Sequence, residues 1–208
     1  MNATEHATTF LIQMLIIVDP LVAVPVLLTI TPRKTSLERR LMARRGCLVA
    51  FFLSGFFLLA GPLLLTYFGV GTPAVLVTGG VLLFLIALEM LYGRITGTGT
   101  TPREERLAEE RHDVSIFPLA FPMLAGPGAV ATCLIFAAQT PDLVQRLGLL
   151  LASLLVFAIT YLVLARAELL MKVLGSLGVS IATRVMGLLL ALLAVQYVIN
   201  GGAALFGG

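Results

Sequence analysis

Charge is what this chain has least of. Asp, Glu, Lys and Arg together make up 12% of its 208 residues, while 59% are hydrophobic. A soluble domain carries about 25% charged residues, and the mean hydropathy here is +1.03. These values exclude an ordinary soluble domain and indicate an integral membrane protein. Cysteine is scarce as well. Cys47 and Cys133 both fall in or beside apolar segments with no second ligand at useful spacing, so buried thiols are expected rather than a disulfide or a metal pair. The only histidines are His6 and His112, both outside the expected spans, which leaves Ser54 without a base for Ser–His catalysis. There is no Walker A pattern, metal-ligand cluster or acidic pair at catalytic spacing, so an enzyme is not expected. The net charge is +3, but the basic residues form no continuous stripe and do not suggest nucleic acid. The charged lining is too sparse for the polar ring of an ion channel. Positive charge is missing from the N-terminal MNATEHATT, and no small-residue cleavage site follows the first apolar run. That run is therefore expected to be a retained span rather than a signal peptide.

What is present is a series of long apolar runs. A span needs about 20 mostly apolar residues, and six are read, over 8–31, 42–68, 72–92, 114–138, 144–165 and 179–204. Thr35-Ser36-Leu37-Glu38 is a capping box that starts the second helix near Ser36. Thr101-Pro102-Arg103-Glu104 is another, expected to open a short charged helix between spans three and four. Thirteen of the 14 basic residues lie in or beside the first, third and fifth loops, and only Arg146 lies on the other side. Basic loops stay in the cytoplasm, so both termini are expected outside.

Two of the spans carry proline pairs: Pro20 and Pro25 in IIVDPLVAVPVLLT, and Pro122 and Pro127 in FPMLAGPGAVAT. Proline lacks the backbone N–H and collides with the carbonyl four residues back, so neither stretch forms one smooth helix. In lipid, a broken helix is tolerated only where it packs in protein or lines a cavity. Broken spans at related places in two halves point to a transporter's binding site. The halves are also alike elsewhere. GGVLLFLIALEML (79–91) matches MGLLLALLAVQYV (186–198) at an offset of 107, pairing Gly80 with Gly187, Ala87 with Ala194 and Glu89 with Gln196. The proline pairs match at an offset of 102, or Pro20 pairs with Pro127 at 107; the sequence leaves both registers open. The expected fold is all-α, with six transmembrane helices in two inverted three-helix repeats and proline-broken helices 1 and 4. The organisation is 1–93, a charged cytoplasmic linker over 94–113, and 114–208.

At these residues the chain resembles the MarC family of inner-membrane proteins, related to the LysE-type exporters. The matching segments are Asp19-Pro20 to Pro25, Phe68-Gly69-Val70, Gly79-Gly80 to Leu91, Pro118 to Gly128, and Arg184 to Gly201. The resemblance implies a secondary transporter of small neutral amino acids such as alanine or glycine, in the cytoplasmic membrane of a prokaryote. One departure is that the family usually has Asn-Pro in the first span, where this chain has Asp19-Pro20. The alternatives are a non-transporting membrane protein of the stress response, or an exporter of another small solute.

Asp-Pro is a helix-start signal, with Asp as N-cap and Pro in the first turn. The first span is therefore expected to end a half-helix near Val18 and restart at Pro20, with Asp19 accepting from the amide of Leu21 or Val22. A carboxylate at mid-membrane costs about 2.5–3.5 kcal/mol on insertion scales and usually marks a pathway. The Ala125-Gly126-Pro127-Gly128-Ala129 segment also starts a half-helix, but no side chain there can cap it, and a bare helix start favours an anion. The expected site holds a zwitterion between the breaks, its carboxylate at Gly126–Ala129 and its ammonium at Asp19 or at carbonyls freed by Pro20, Pro25 and Pro122. Thr29 and Thr132 are candidate lining residues. Asp19 and Glu89 are the candidates for proton coupling, although Glu89 lies near the cytoplasmic end of its span, within reach of Arg94. No cofactor is expected; proton or sodium coupling and a homo-oligomer are left open, and the partners are a small solute and the bilayer.

Overall fold

The computed structural model describes residues 3–93, 115–140 and 142–206. The elements among the described residues are all helices, in the order α1 (Ala3–Val18), α2 (Pro20–Ile30), α3 (Ser36–Tyr67), α4 (Thr72–Tyr92), an irregular wound segment α5 (Ser115–Leu124), α6 (Pro127–Gln139), α7 (Leu143–Ala165) and α8 (Ala167–Phe206). Five stretches are long and apolar enough to cross a membrane: Thr4–Ile30, Ser36–Tyr67, Thr72–Tyr92, Leu143–Ala165 and Ala167–Leu205. The run read over 114–138 is divided between α5 and the short apolar helix α6. The expected linker 94–113, with its second capping box, Arg94 and His112, lies outside the described residues.

Local sequence explains most boundaries. Thr35 caps α3 by accepting from Glu38 N, and Glu38 returns the bond to the Thr35 backbone, as the capping box predicts. The helix thus begins at Ser36, six residues before the apolar run. Gly93, at φ 65°, ends α4 in the left-handed cap that glycine adopts without strain. Phe117 (φ −129°, ψ 127°) and Phe121 (φ −131°, ψ 130°) interrupt α5 with extended backbone. Each precedes a proline, whose ring drives the preceding residue out of the helical region. The fifth loop differs from expectation. Residues 166–178 are largely helical, and α8 begins at Ala167 with a break only at Gly175 (φ 65°, ψ 178°). That glycine divides a short piece, 167–174, from the span that follows.

The long helices pack through small residues. A Cβ on Gly80 would lie 2.7 Å from the Ala194 carbonyl oxygen, one on Gly187 2.8 Å from Met90 Cβ, and one on Gly201 2.8 Å from the Pro73 carbonyl oxygen. The partners descend along α8 as they ascend along α4, so the two helices are antiparallel with their backbones in near contact. Without a hydrophobic drive between helices in lipid, such close approach is what holds spans together. Similarly, α1 runs antiparallel to α6: His6 meets Thr140, Phe10 stacks edge-on against Phe136, and Ile17 reaches Gly128. The shared core is built from α1 to α8, with Phe10, Met14, Leu27, Leu58, Leu83, Leu119, Ile135, Leu149 and Leu190 fully enclosed. Thr31, Arg39, Arg40, Ala165 and Glu168 gather at one end, where Gly93 also neighbours Arg184. His6, Thr140 and Arg146 gather at the other, away from the first cluster along the antiparallel helices.

Candidate functional site

The site is built where the two interrupted spans meet. α2 begins at Pro20, and Asp19 sits at its N-cap, accepting from Val22 N at 3.3 Å. This is the bond the Asp-Pro pair predicts. Asp19 adopts φ 38°, ψ 74°, a left-handed conformation that costs a non-glycine residue on the order of 1–3 kcal/mol and clusters at functional positions. Asp19 is buried, only 7% exposed, and its second oxygen, Oδ2, has no hydrogen-bond partner among the described residues. Thr183 of α8 is its side-chain neighbour. α6 begins in parallel fashion at Pro127, with Gly126 as N-cap (φ −75°, ψ −174°) and no side-chain cap bond.

The start of α6 lies against the end of α1, since a Cβ on Gly128 would lie 3.1 Å from Ile17 Cγ2, two residues before Asp19. The same Cβ would lie 2.7 Å from Ile86 Cδ1, so hydrocarbon from α1 and α4 covers the start of α6. Glycine is required there by close approach rather than by backbone angle. Gly126, Gly128 and Ala129 are buried and Pro127 is exposed. The helix starts at Pro20 and Pro127 are 107 positions apart, the spacing that also separates Gly80 from Gly187. Pro25 lies inside α2, and Pro122 forms a cis bond with Phe121 within α5; neither starts a helix.

Other expected lining residues do not converge on the breaks. The Thr29 hydroxyl is exposed and donates to the Pro25 carbonyl at 2.9 Å. Thr132 is fully buried, but its hydroxyl donates to the Gly128 carbonyl at 2.9 Å, within its own helix. Glu89 is half-buried near the end of α4, where its backbone carbonyl accepts from Gly93 N. Cys47 and Cys133 are buried free thiols, as expected. His6 belongs to α1 rather than to a tail preceding it, and lies 2.8 Å from the Thr140 hydroxyl.

Sequence reading overlooked two features. The first is a set of buried polar side chains within the spans. Gln13 accepts from the Tyr197 hydroxyl at 2.6 Å while its Nε2 has no partner, and Ser54 Oγ and Ser153 Oγ are likewise buried without one among the described residues. Polar residues inside apolar runs were the available signal. The second is a pair of arginine clamps. Arg39 donates through Nε and Nη2 to the carbonyl of Thr31, the C-cap of α2, at 3.2 and 3.0 Å. Arg146 donates through Nε to the carbonyl of Thr140, the C-cap of α6, at 2.7 Å. A cation at a helix C-terminus satisfies orphan carbonyls and balances the dipole. Arg39 and Arg146 are again 107 positions apart. Arg146, which the basic-residue distribution set apart from the other thirteen, therefore has a structural job.

Comparison with known proteins agrees with this architecture. The model of the MarC family of integral membrane proteins matches residues 4–206. A UPF0056 membrane protein of Methanocaldococcus jannaschii is 38% identical over 89% of this chain and 90% of its own length. The inner membrane protein YhgN of Escherichia coli K12 is 32% identical over 97% of this chain and 96% of its own. The membrane protein YvbG of Bacillus subtilis is 30% identical over 94% of this chain and 93% of its own. No solved structure matches the chain significantly. With nearly its whole length matched, the chain belongs to the MarC family of integral membrane proteins.

Proposed function

We propose that the chain is a secondary transporter of small neutral amino acids, such as alanine or glycine, working by alternating access at a midplane site between its two broken spans. The observation that carries this reading is the contrast between two unlike helix starts, with the end of α1 that leads to the first packed against the second. One is capped by a buried carboxylate with an unpartnered oxygen, Asp19 Oδ2. The other, at Gly126-Pro127, has no side-chain cap. A carboxylate in a low-dielectric site attracts an ammonium group, and a bare helix N-terminus attracts a carboxylate. A small zwitterion satisfies both. Its side chain must be small, because Ile17, Ile86 and Leu83 crowd Gly128.

The pairing of the halves supports alternating access. In the antiparallel contact of α4 with α8, Gly80 opposes Ala194 and Gly187 opposes Ala87. Under the 107-residue offset, each of these contacts is the counterpart of the other. Reciprocity of this kind is what a two-fold axis in the membrane plane produces, and inverted halves that rock about such an axis open a central site first to one side and then to the other. Six crossings, with both termini outside, fit the gathering of loop one, the end of α4 and the α7–α8 junction at one end, with Arg39, Arg40 and Arg184 there. The residues proposed for the site are Asp19, Pro20, Gly126, Pro127, Gly128 and Ala129. Ile17 and Ile86 over Gly128 act as the closed gate in the conformer described.

The close packing at Gly128 also favours a second reading, in which the breaks serve only to join the two halves of a non-transporting membrane protein. Counterflow of radiolabelled alanine into proteoliposomes separates the two. The transporter exchanges alanine, and a panel of small solutes with and without a pH gradient identifies substrate and coupling. A scaffold exchanges none of them.

A further inference from the structure

Far from the breaks, a cavity of about 290 Å³ opens between the start of α3 and the junction of α7 with α8. Three guanidinium groups line it, those of Arg39, Arg40 and Arg166, with the single carboxylate of Glu168. The arginines are not equivalent. Arg39 is committed to the Thr31 carbonyl and to an ion pair with Glu168, which neutralises that carboxylate. Arg40 spends only its Nε, on the Ala165 carbonyl at 3.3 Å, and its terminal nitrogens make no other bond among the described residues. The Arg166 side chain makes neither a hydrogen bond nor an ion pair among the described residues, and both Arg40 and Arg166 are exposed. The cavity therefore carries two positive charges that the described residues leave unpaired. The two elements that frame it also carry exposed apolar side chains, of which Leu169 lines the cavity. Leu37 and Leu41 on α3, and Leu169 and Val173 on the first piece of α8, are 68%, 46%, 59% and 75% exposed.

We propose that this cavity binds the phosphate headgroup of an anionic phospholipid of the cytoplasmic leaflet, with Arg40 and Arg166 as its ligands and the flanking leucines along its acyl chains. Guanidinium pairs bidentately with phosphate oxygens. A free phosphate ion offers the same oxygens, but it makes no use of Leu169 in the lining or of the exposed Leu37, Leu41 and Val173 on the same two elements. Basic pockets between spans on the cytoplasmic side recognise such headgroups, and the anionic leaflet concentrates them there. The proposal rests on the orientation drawn from the arginine distribution and is independent of the transported solute.

Native mass spectrometry of the full-length protein, released from mild detergent after titration with phosphatidylglycerol or phosphatidylcholine, tests it. The unaltered protein retains phosphatidylglycerol in preference to phosphatidylcholine. Arg166→Gln, which breaks no bond of the fold, weakens that retention about fivefold, and Arg40→Gln with Arg166→Gln about 30-fold, as expected for about 1 kcal/mol per basic residue. Arg44→Gln, an exposed change on α3 that does not line the cavity, leaves it unaltered. Three results overturn the proposal: equal retention of the two lipids, an equal loss on Arg44→Gln, or displacement of the lipid by millimolar inorganic phosphate. The last would identify a soluble anion as the ligand instead.

Discussion

Both broken spans restart at a proline, and both of the half-helices that follow end under an arginine. The residue before the proline is what differs. In the first span it is Asp19, which caps α2, adopts a left-handed backbone and keeps one buried oxygen without a partner. In the fourth it is Gly126, which supplies no cap and rests at an ordinary φ of −75°. The two helix starts therefore differ in chemical character, with an acidic side chain at one and amides without a side-chain cap at the other. A purely architectural break would gain nothing from that difference, because a capping side chain at both positions would serve better. The asymmetry is what a ligand with two unlike ends requires.

Removing the asymmetry should have the largest effect. Gly126→Asp gives α6 the cap that α2 has, which raises helix stability by only a few tenths of a kcal/mol. It also sets a second carboxylate against the substrate's own, and like charges brought together cost several kcal/mol. Alanine exchange in proteoliposomes is expected to fall about 100-fold while thermal unfolding in detergent moves slightly upward. Next in size is a test of the equivalence of the halves. Gly80→Leu and Gly187→Leu each force a side chain into backbone contact, and overpacking of this kind costs about 1–3 kcal/mol. Comparable losses in unfolding temperature are expected from both; a large loss from one and none from the other would break the comparison. Smaller again are the clamps. Arg39→Gln and Arg146→Gln each release a helix C-cap carbonyl and are expected to cost about 1–2 kcal/mol. Arg39→Gln should cost more, by up to about 1 kcal/mol, because Glu168 also loses its partner. The smallest change in stability is expected from Asp19→Asn, within a few tenths of a kcal/mol, since Asn caps as well as Asp.

How much of this was legible in the sequence depended on whether the signal was local. The Asp-Pro pair announced both the restart of α2 and its capping bond, because an N-cap acts over three residues. The Thr35–Glu38 box did the same for α3. The repeat register stayed open because each broken stretch has two prolines, and only the fold distinguishes a proline that starts a helix from one that sits within it. Pro20 and Pro127 start helices while Pro25 and Pro122 do not, which favours the 107-residue register. Pro25 has Thr132 in its counterpart position, and Pro122 has Leu15. The arginine clamps could not be read, because each reaches back from the helix that follows to the C-cap before it. Their common 107-residue offset was the one available sign. Thr29 and Thr132 looked like lining residues by sequence position, but their hydroxyls are held by carbonyls of their own helices. The break at Gly175 gave no signal beyond a glycine in a segment that read as a loop.

The central claim is that the Asp19 carboxylate and the bare Gly126-Pro127 turn hold opposite ends of one small zwitterion. Counterflow of radiolabelled alanine in proteoliposomes, with the unaltered protein and Asp19→Asn side by side, tests it most directly, because that change keeps the cap and removes only the charge. The account predicts exchange by the unaltered protein and at least a tenfold loss in the variant, the size of about 1.4 kcal/mol of binding, at unchanged unfolding temperature. Alanine exchange at the same rate by both, or by neither, would contradict it.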